Sequence, residues 1–327
     1  MSLPIIPIIE ARGAMEPAVV SALAEPMRLR LVLEGGDRAY TRLGVRLADA
    51  RSRVLSGRLA SPYAEAVRQV DRAVGRRGAY LLNHSYEWGC TSGAVADPGG
   101  GATLLRTLDW PFDGLGRALV VVRQAGAVGD YLSATWPGFA GVLTGLAAGR
   151  FAAAINQPPL PYPGWGKAVG WLAARRRVAR SRAMPPTHLL RLAFDTCADF
   201  ADAAALLRTV PVCLPAIFTL AGPGAGEAVV IERTADAAWE PEAPAAANHW
   251  ASRPGPAGQP RNPSSPARRE AMLGLVDRPP GWSLDWVRAP VLVADTRLAM
   301  MASPRTGRML LQGWERTGPA TAVLEVG

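Results

Sequence analysis

Gly89-Cys90-Thr91-Ser92 sets a thiol directly after a glycine carbonyl. Glycine tolerates unusual backbone angles, which a strained peptide bond would need. A Cys90 thiol attacking the Gly89 carbonyl would exchange the peptide bond for a thioester, which water can open. The product would be a new N-terminal cysteine. Its α-amine, with a reference pKa of about 7.7–8, suits general-base work near neutral pH. Thiol and base would then belong to one residue, as in threonine nucleophiles with N-terminal amines. Arg106 and Asp109 lie 16 and 19 positions after Cys90, in a stretch that the turn signal DPGGG folds back beside it. Taken alone, a Gly-Cys pair reads more readily as a buried structural cysteine.

The remaining reactive residues form no rival constellation. Cys197 and Cys213 read as buried small apolar residues, and three cysteines without a CxxC pair indicate neither a disulfide framework nor a zinc site. His84, His188 and His249 are scattered and match no metal-binding spacing. Ser92 has no evident histidine or lysine partner and reads as a strand residue. GPGAGE at 222–227 reads as a hairpin turn, because no helix follows to make it a phosphate-binding loop. The net charge of +9 is spread over both halves of the chain: residues 1–89 hold 13 Arg against 9 acids, and residues 90–327 hold 23 Lys and Arg against 18 acids. Lys167 is the only lysine. Nothing interleaves aromatic and basic residues in the manner of a single-strand binder, so a nucleic-acid partner is not expected. MSLPIIPIIE lacks a basic n-region and no long apolar run is uninterrupted, which points to a cytoplasmic protein without stable membrane anchoring.

These residues need a scaffold, and the chain suggests one in two styles. Residues 14–25 and 61–76 have helical spacing, while RLRLVLE at 28–34 alternates like a strand, with a short helix as the other reading. From Cys90 the pattern changes to strands joined by tight turns: CTSGAVA, ATLLRTLDW, ALVVVRQAG, DYLSATW, FAGVLTGL and RFAAAINQ. A Pro-rich loop at 158–166 precedes helical spacing at 168–182, and THLLRLAFDTCADFADAAALLRTV reads as two helices, the second capped by Asp199. AIFTLAG and EAVVIER form a further hairpin, and 240–267 reads as a long surface loop. A helix near 266–276 and two strands, PVLVADTRLAMMAS and GRMLLQGW, end the chain. This order suits an α+β architecture of layered sheets covered by helices.

The block CTSGAVADPGGGATLLRTLDWPF resembles the opening of the mature subunit in the choloylglycine hydrolase, acid ceramidase and N-acylethanolamine acid amidase group of N-terminal-nucleophile (Ntn) hydrolases. LLNHSYEWG before it is similar to the end of a ceramidase-type propeptide. FAGVLTGLAAGRFAAAINQ, the stretch 192–233, NHW at 248–250 and SSPAR at 264–268 follow in the family's order, so the resemblance covers most of the chain. It implies a four-layer αββα sandwich preceded by a mainly helical propeptide. The boundary would divide residues 1–89, the α-subunit after self-cleavage, from the catalytic β-subunit at 90–327.

The resemblance also implies roles. Cys90 would be nucleophile and, through its freed amine, base, with the cut between Gly89 and Cys90. Arg106 would sit by the thiol and favour the thiolate. Asp109 would accept hydrogen bonds from the new α-amine. Asn248 would donate to the oxyanion. Arg268, or its neighbour Arg269, would steady the Asp109 region or the substrate. Asn156 and Gln157 are weaker candidates for pocket contacts, as are Trp110 and Trp136, with Trp165 and Trp250 behind them. Two departures stand out: position 157 is Gln where ceramidase-like relatives carry Glu, and Gly89 matches the penicillin acyltransferase-like branch, where ceramidases have a branched apolar residue. The implied activity is hydrolysis of a linear N-acyl amide with an apolar acyl chain, without metal or organic cofactor. The propeptide would remain as partner, and a homo-oligomer is compatible. An acyltransferase passing the acyl group to an amine, and an uncut binding protein of the same fold, are the alternatives.

Overall fold

The computed structural model describes residues 2–86, 88–159, 176, 180–252 and 260–327. Its N-terminal part supplies β1 (Ile8–Ala11), α1 (Pro17–Ala24), α2 (Pro26–Ser56), α3 (Ala64–Val74) and α4 (Ala79–His84). Proline opens α1 and α2, at a position where the missing N–H is an orphan anyway. The strand-like stretch at 28–34 is helical. Leu29, Val32 and Leu33 recur at three to four residues and bury one face, and that periodicity prevails over the local alternation.

After Trp88 the chain forms β2 (Gly89–Ala96), β3 (Ala102–Asp109), β4 (Val120–Gly126), β5 (Gly129–Thr135), β6 (Thr144–Ala147) and β7 (Phe151–Asn156). Helices α5 (Pro186–Thr196) and α6 (Phe200–Thr209) follow, and the Asp199 carboxylate caps α6 by accepting the Asp202 N–H at 2.9 Å. The chain then makes β8 (Ala216–Ala221), β9 (Ala228–Arg233), β10 (Ala238–Trp239), β11 (Ala245–Ala246), α7 (Ser265–Asp277), β12 (Thr296–Ser303), β13 (Arg308–Glu315), β14 (Gly318–Pro319) and β15 (Leu324–Val326).

One sheet has the order β1-β4-β5-β6-β7-β8-β9-β10, the other β11-β2-β3-β12-β13-β14 with β15 also on β13. β2 and β3 face β7 and β8 across the sandwich; α5 and α6 cover the first sheet outside, and α7 covers the second. The layers therefore run αββα. Leu104, Leu108, Ala154, Phe218 and Met300 fill the space between the sheets. α7 lies close on β2: a Cβ added at Gly93 would come 2.7 Å from Met272 Cγ and Sδ. The N-terminal segment does more than precede this body, since β1 pairs in parallel with β4, Ile8 opposite Val121.

Three expectations shift. The stretch 240–267 is not simply a surface loop. Ala245 and Ala246 pair with Gly93 and Ser92 of β2, and Ala245 through Asn248 are buried. Small alanines fit under α7, and a composition rich in Pro and Ala hides that edge strand. FAGVLTGL keeps strand form only from Thr144, and PVLVADTRLAMMAS only from Thr296. Most of the helix expected at 168–182, all but 176 and 180–182, and most of the Pro-rich loop before it lie outside the described residues, as do 253–259. Among the described residues, no helix is long and apolar enough to cross a membrane.

Candidate active site

Side chains alternate along a strand, so β2 presents Cys90 and Ser92 to the space between the sheets and Gly89 and Thr91 to the side under α7. Register places Gly89 opposite Asp109, Cys90 opposite Leu108 and Ser92 opposite Arg106. Arg106 thus shares the face of Cys90, and Asp109 the face of Gly89.

On the inner face, Arg106 Nη2 lies 3.1 Å from Cys90 Sγ and Nη1 donates to Asn156 Oδ1 at 2.7 Å. Ser92 Oγ also donates to Asn156 Oδ1, at 3.1 Å, and pairs with Thr219 Oγ1 at 2.8 Å. Asn156 Nδ2 donates to Ala247 O at 3.3 Å, which fixes the amide's orientation. Asn156 therefore holds the guanidinium that holds the thiol. Cys90 is fully buried. Burial pushes its thiol up from the ordinary value, and the Arg106 cation opposes that shift without overcoming it. The expected net drop is absent because the site is closed to water.

On the outer face, Arg268, and not Arg269, reaches Cys90 and Asp109. Its Nη1 donates to Cys90 O at 2.6 Å and Thr91 Oγ1 at 2.7 Å, and Nη2 donates to Asn248 Oδ1 at 2.8 Å. Arg268 Nη1 lies 3.4 Å from Asp109 Oδ2. Arg269 points elsewhere, to Ala245 O. Asn248 Oδ1 accepts the Cys90 N–H at 2.8 Å, its Nδ2 donates to Gln157 O at 2.8 Å, and its own N–H is tied to Ser265 Oγ at 2.7 Å. The amide nitrogen of Asn248 is thus occupied while Cys90 is still an internal residue. Asp109 Oδ1 accepts Thr296 Oγ1–H at 2.8 Å, whereas Oδ2 is buried and has no hydrogen-bond donor. A Cβ at Gly89 would lie 3.4 Å from that oxygen and 3.5 Å from Asn248 Oδ1. Gly89 has no left-handed backbone (φ > 0 occurs nearby only at Tyr86, 49°), so its value here is slenderness between two site side chains. Burial raises the Asp109 carboxyl, with the Arg268 cation opposing.

The weaker candidates divide. The Gln157 side chain is tied to Pro215 O at 3.1 Å, and only its backbone carbonyl joins the site. Trp136 is a core residue, bonded to Leu115 O and edge-on to Trp110 at 5.2 Å. Trp110 lines a small apolar cavity with Val32, Tyr40, Leu82, Phe112 and Leu115, between α2, α4 and the chain after β3. Trp250 packs on Ile217 and Val230, and Trp165 lies outside the described residues. Sequence reading missed Ser265, which anchors Asn248, and Thr296, which holds Asp109; only register and packing bring either to the site.

No protein-family model and no curated protein matches the chain. Among solved structures, a Caenorhabditis elegans N-acylethanolamine-hydrolyzing acid amidase ortholog is similar at a TM-score of 0.51 and 18% identity, over 66% of this chain and 93% of that one. The chain has the fold of the Ntn hydrolases. A mutant conjugated bile acid hydrolase from Clostridium perfringens (TM-score 0.43, 8% identity, 72% of this chain and 92% of that one) aligns more loosely. So does penicillin V acylase from Agrobacterium tumefaciens (0.39, 11%, 72% and 86%). Just before Cys90 the N-terminal segment is buried in the same core: Trp88 is fully buried beside Trp110, and His84 and Tyr86 pack behind it. His84 also faces His188, ring centres 6.0 Å apart.

Two measurements follow from this geometry. Arg268→Met should cost about 3–5 kcal/mol in urea unfolding, because it leaves Asp109 buried without its cation, while Arg269→Ala should cost about 1. Equal effects would mean that Arg268 is not the pin. Burial pushes His84 down to about 4 from 6.5, so the folded chain resists a proton that the unfolded chain accepts. Stability should fall as pH drops below 6.5, by about 2 kcal/mol at pH near 5 from this group, and His84→Gln should flatten the slope. An unfolding midpoint independent of pH over that window would contradict a buried neutral imidazole.

Proposed function

We propose that the chain is a self-processing cysteine amidase that hydrolyses linear N-acyl amides with an apolar acyl chain. The observation carrying this reading is that the buried polar side chains around Cys90 address the atoms such chemistry changes. Arg106 is on Sγ and Asn248 on the N–H of the Gly89–Cys90 peptide bond, a donor-free Asp109 oxygen lies beside Gly89, and Arg268 braces the neighbouring Cys90 carbonyl. In the first step Sγ bonds to the Gly89 carbonyl carbon, the C–N bond to Cys90 breaks, and the thiol proton ends on the released amine. Water then opens the thioester, giving a Gly89 carboxyl group and restoring the thiol. Residues 1–89 become the α-subunit and 90–327 the β-subunit.

In turnover the amine takes the thiol proton, Sγ attacks the substrate carbonyl, and the leaving amine departs protonated. Water completes hydrolysis of the acyl-enzyme. Arg106 stabilises the thiolate once water reaches the site, and Asp109 Oδ2 accepts from the α-amine. Asn248 Nδ2 turns from Gln157 O to the oxyanion when Cys90 N is no longer an amide. The C. elegans protein of similar fold is described as hydrolysing N-acylethanolamines, which supports an N-acyl amide as substrate. Three buried, unpaired thiols suit the cytoplasm.

Denaturing mass analysis of purified protein should give two fragments dividing at 89/90, and Cys90→Ala should give one intact, folded, inactive chain. A wild-type chain that stays whole under every pH tried, or a Cys90→Ala chain that still cuts, would sink the proposal. Asn248→Ala should still be cut yet turn over an N-acyl amide about 100-fold more slowly. An unchanged rate would remove Asn248 from the oxyanion role. Adding a competing amine and weighing the products distinguishes hydrolysis from acyl transfer.

A further inference from the structure

The two oxygens of Asp109 keep different company. Oδ1 accepts from Thr296; Oδ2 has no donor and lies beside Gly89, 3.4 Å from Arg268 Nη1. The Thr296 hydroxyl cannot turn freely, because its oxygen accepts the Val293 N–H at 3.0 Å, which leaves its proton for Asp109 at 2.8 Å. Register explains how it arrives there. Thr296 stands opposite Asp109, but the next pair along is Leu298 with Leu108, so Arg297 is the extra residue of a β-bulge. Bulges re-aim side chains next to active sites.

This bulge is clamped. Arg297 is fully buried and donates to Phe112 O at 2.7 Å, Ala294 O at 3.0 Å and Thr296 O at 2.9 Å. It also meets Asp113 at 3.3 Å and Glu315 at 3.6 Å. The guanidinium thereby ties the bulge to the chain leaving β3, so Thr296 and Asp109 are fixed from both strands.

We propose that Thr296 is a positioning residue for the Cys90 chemistry. Its hydroxyl occupies one Asp109 oxygen so that the other is presented to the amine of Cys90, and the Arg297 bulge aims it. This inference rests on the self-processing reading above. Without the Thr296 hydroxyl, the carboxylate is free to rotate about its Cβ–Cγ bond, and Oδ2 is no longer held toward Gly89 and the amine. Arg268 from α7 faces Asp109, and the charges of Arg106 and Cys90 on the other face of the sheet and of Asp295 just before β12 also act on it. Against that background the Thr296 hydrogen bond favours the ionised carboxylate, so its loss moves Asp109 ionisation to higher pH.

Valine keeps the shape of threonine and loses the hydroxyl; serine keeps the hydroxyl and loses the methyl. Thr296→Val should slow self-cleavage and amide turnover about tenfold, in kcat more than KM, and move the acid limb of the pH profile up by about one unit. Thr296→Ser should restore the limb. A purely packing role predicts the reverse order, and a slow serine variant beside a normal valine variant would overturn the proposal. A second readout is independent of catalysis: Asp109 titration followed by carboxyl carbon NMR in the uncut Cys90→Ala chain, with and without Thr296→Val. An upward shift is expected, and an unmoved titration overturns the proposal even if the wild type cuts. A shifted titration with a wild type that never cuts would retain the hold on Asp109 and remove the self-processing reading instead.

Discussion

Taking a guanidinium wholly out of water is costly, and the fold meets that cost at Arg268 by gathering acceptors from four places. Cys90 O and Thr91 Oγ1 come from β2, Asn248 Oδ1 from the segment after β11, Ser264 Oγ from the start of α7, and Asp109 from β3. The four places are separate pieces of chain, and none could move alone without leaving a buried donor unmatched. The arrangement requires α7 to lie close on β2, which is why Gly93 has no room for a Cβ against Met272. It also requires the edge pairing of Ala245–Ala246, which delivers Asn248 to the end of β2.

From this pin the site divides cleanly. Arg106 and Asp109 are three residues apart on one strand, and an odd separation sends their side chains to opposite faces. One therefore lies on the sulfur of Cys90, and the other beside Gly89 and Arg268. The two halves are joined through Asn156, whose Oδ1 holds Arg106 and whose Nδ2 reaches Ala247, next to Asn248. A change on either face is felt on the other through that amide and through the Cys90 backbone itself.

Much of this could be read from the chain. The hairpin around DPGGG and the Asp199 cap are local signals, and local signals survive in the fold. The convergence of Cys90, Arg106, Asp109, Asn248 and Arg268 followed from a family-like order of motifs. The choice of Arg268 over Arg269 did not: adjacent residues on a helix differ by about 100° in direction, and only the docking of α7 decides which faces β2. Thr296 and Ser265 are ordinary residue types whose roles arise from a bulge and a helix start in distant sequence. The strand alternation at 28–34 misled because burial against α4 and the body selects the helical face of α2, which an isolated heptapeptide cannot reveal.

The parallel pairing of β1 with β4 has a consequence for what a cut at Gly89 would leave behind. The N-terminal piece contributes a strand to a sheet of the larger piece, and its helices α2 and α4 meet Trp110 and Phe112 of that piece around a small cavity. Severing the link therefore creates a complementing pair of fragments, not a body and a discarded leader. Before the cut, folding is a one-molecule equilibrium; afterwards reassembly depends on two concentrations, so the matured species gains resistance to dissociation only by mass action. Loss of the covalent tether would make its apparent stability a property of dilution as much as of structure.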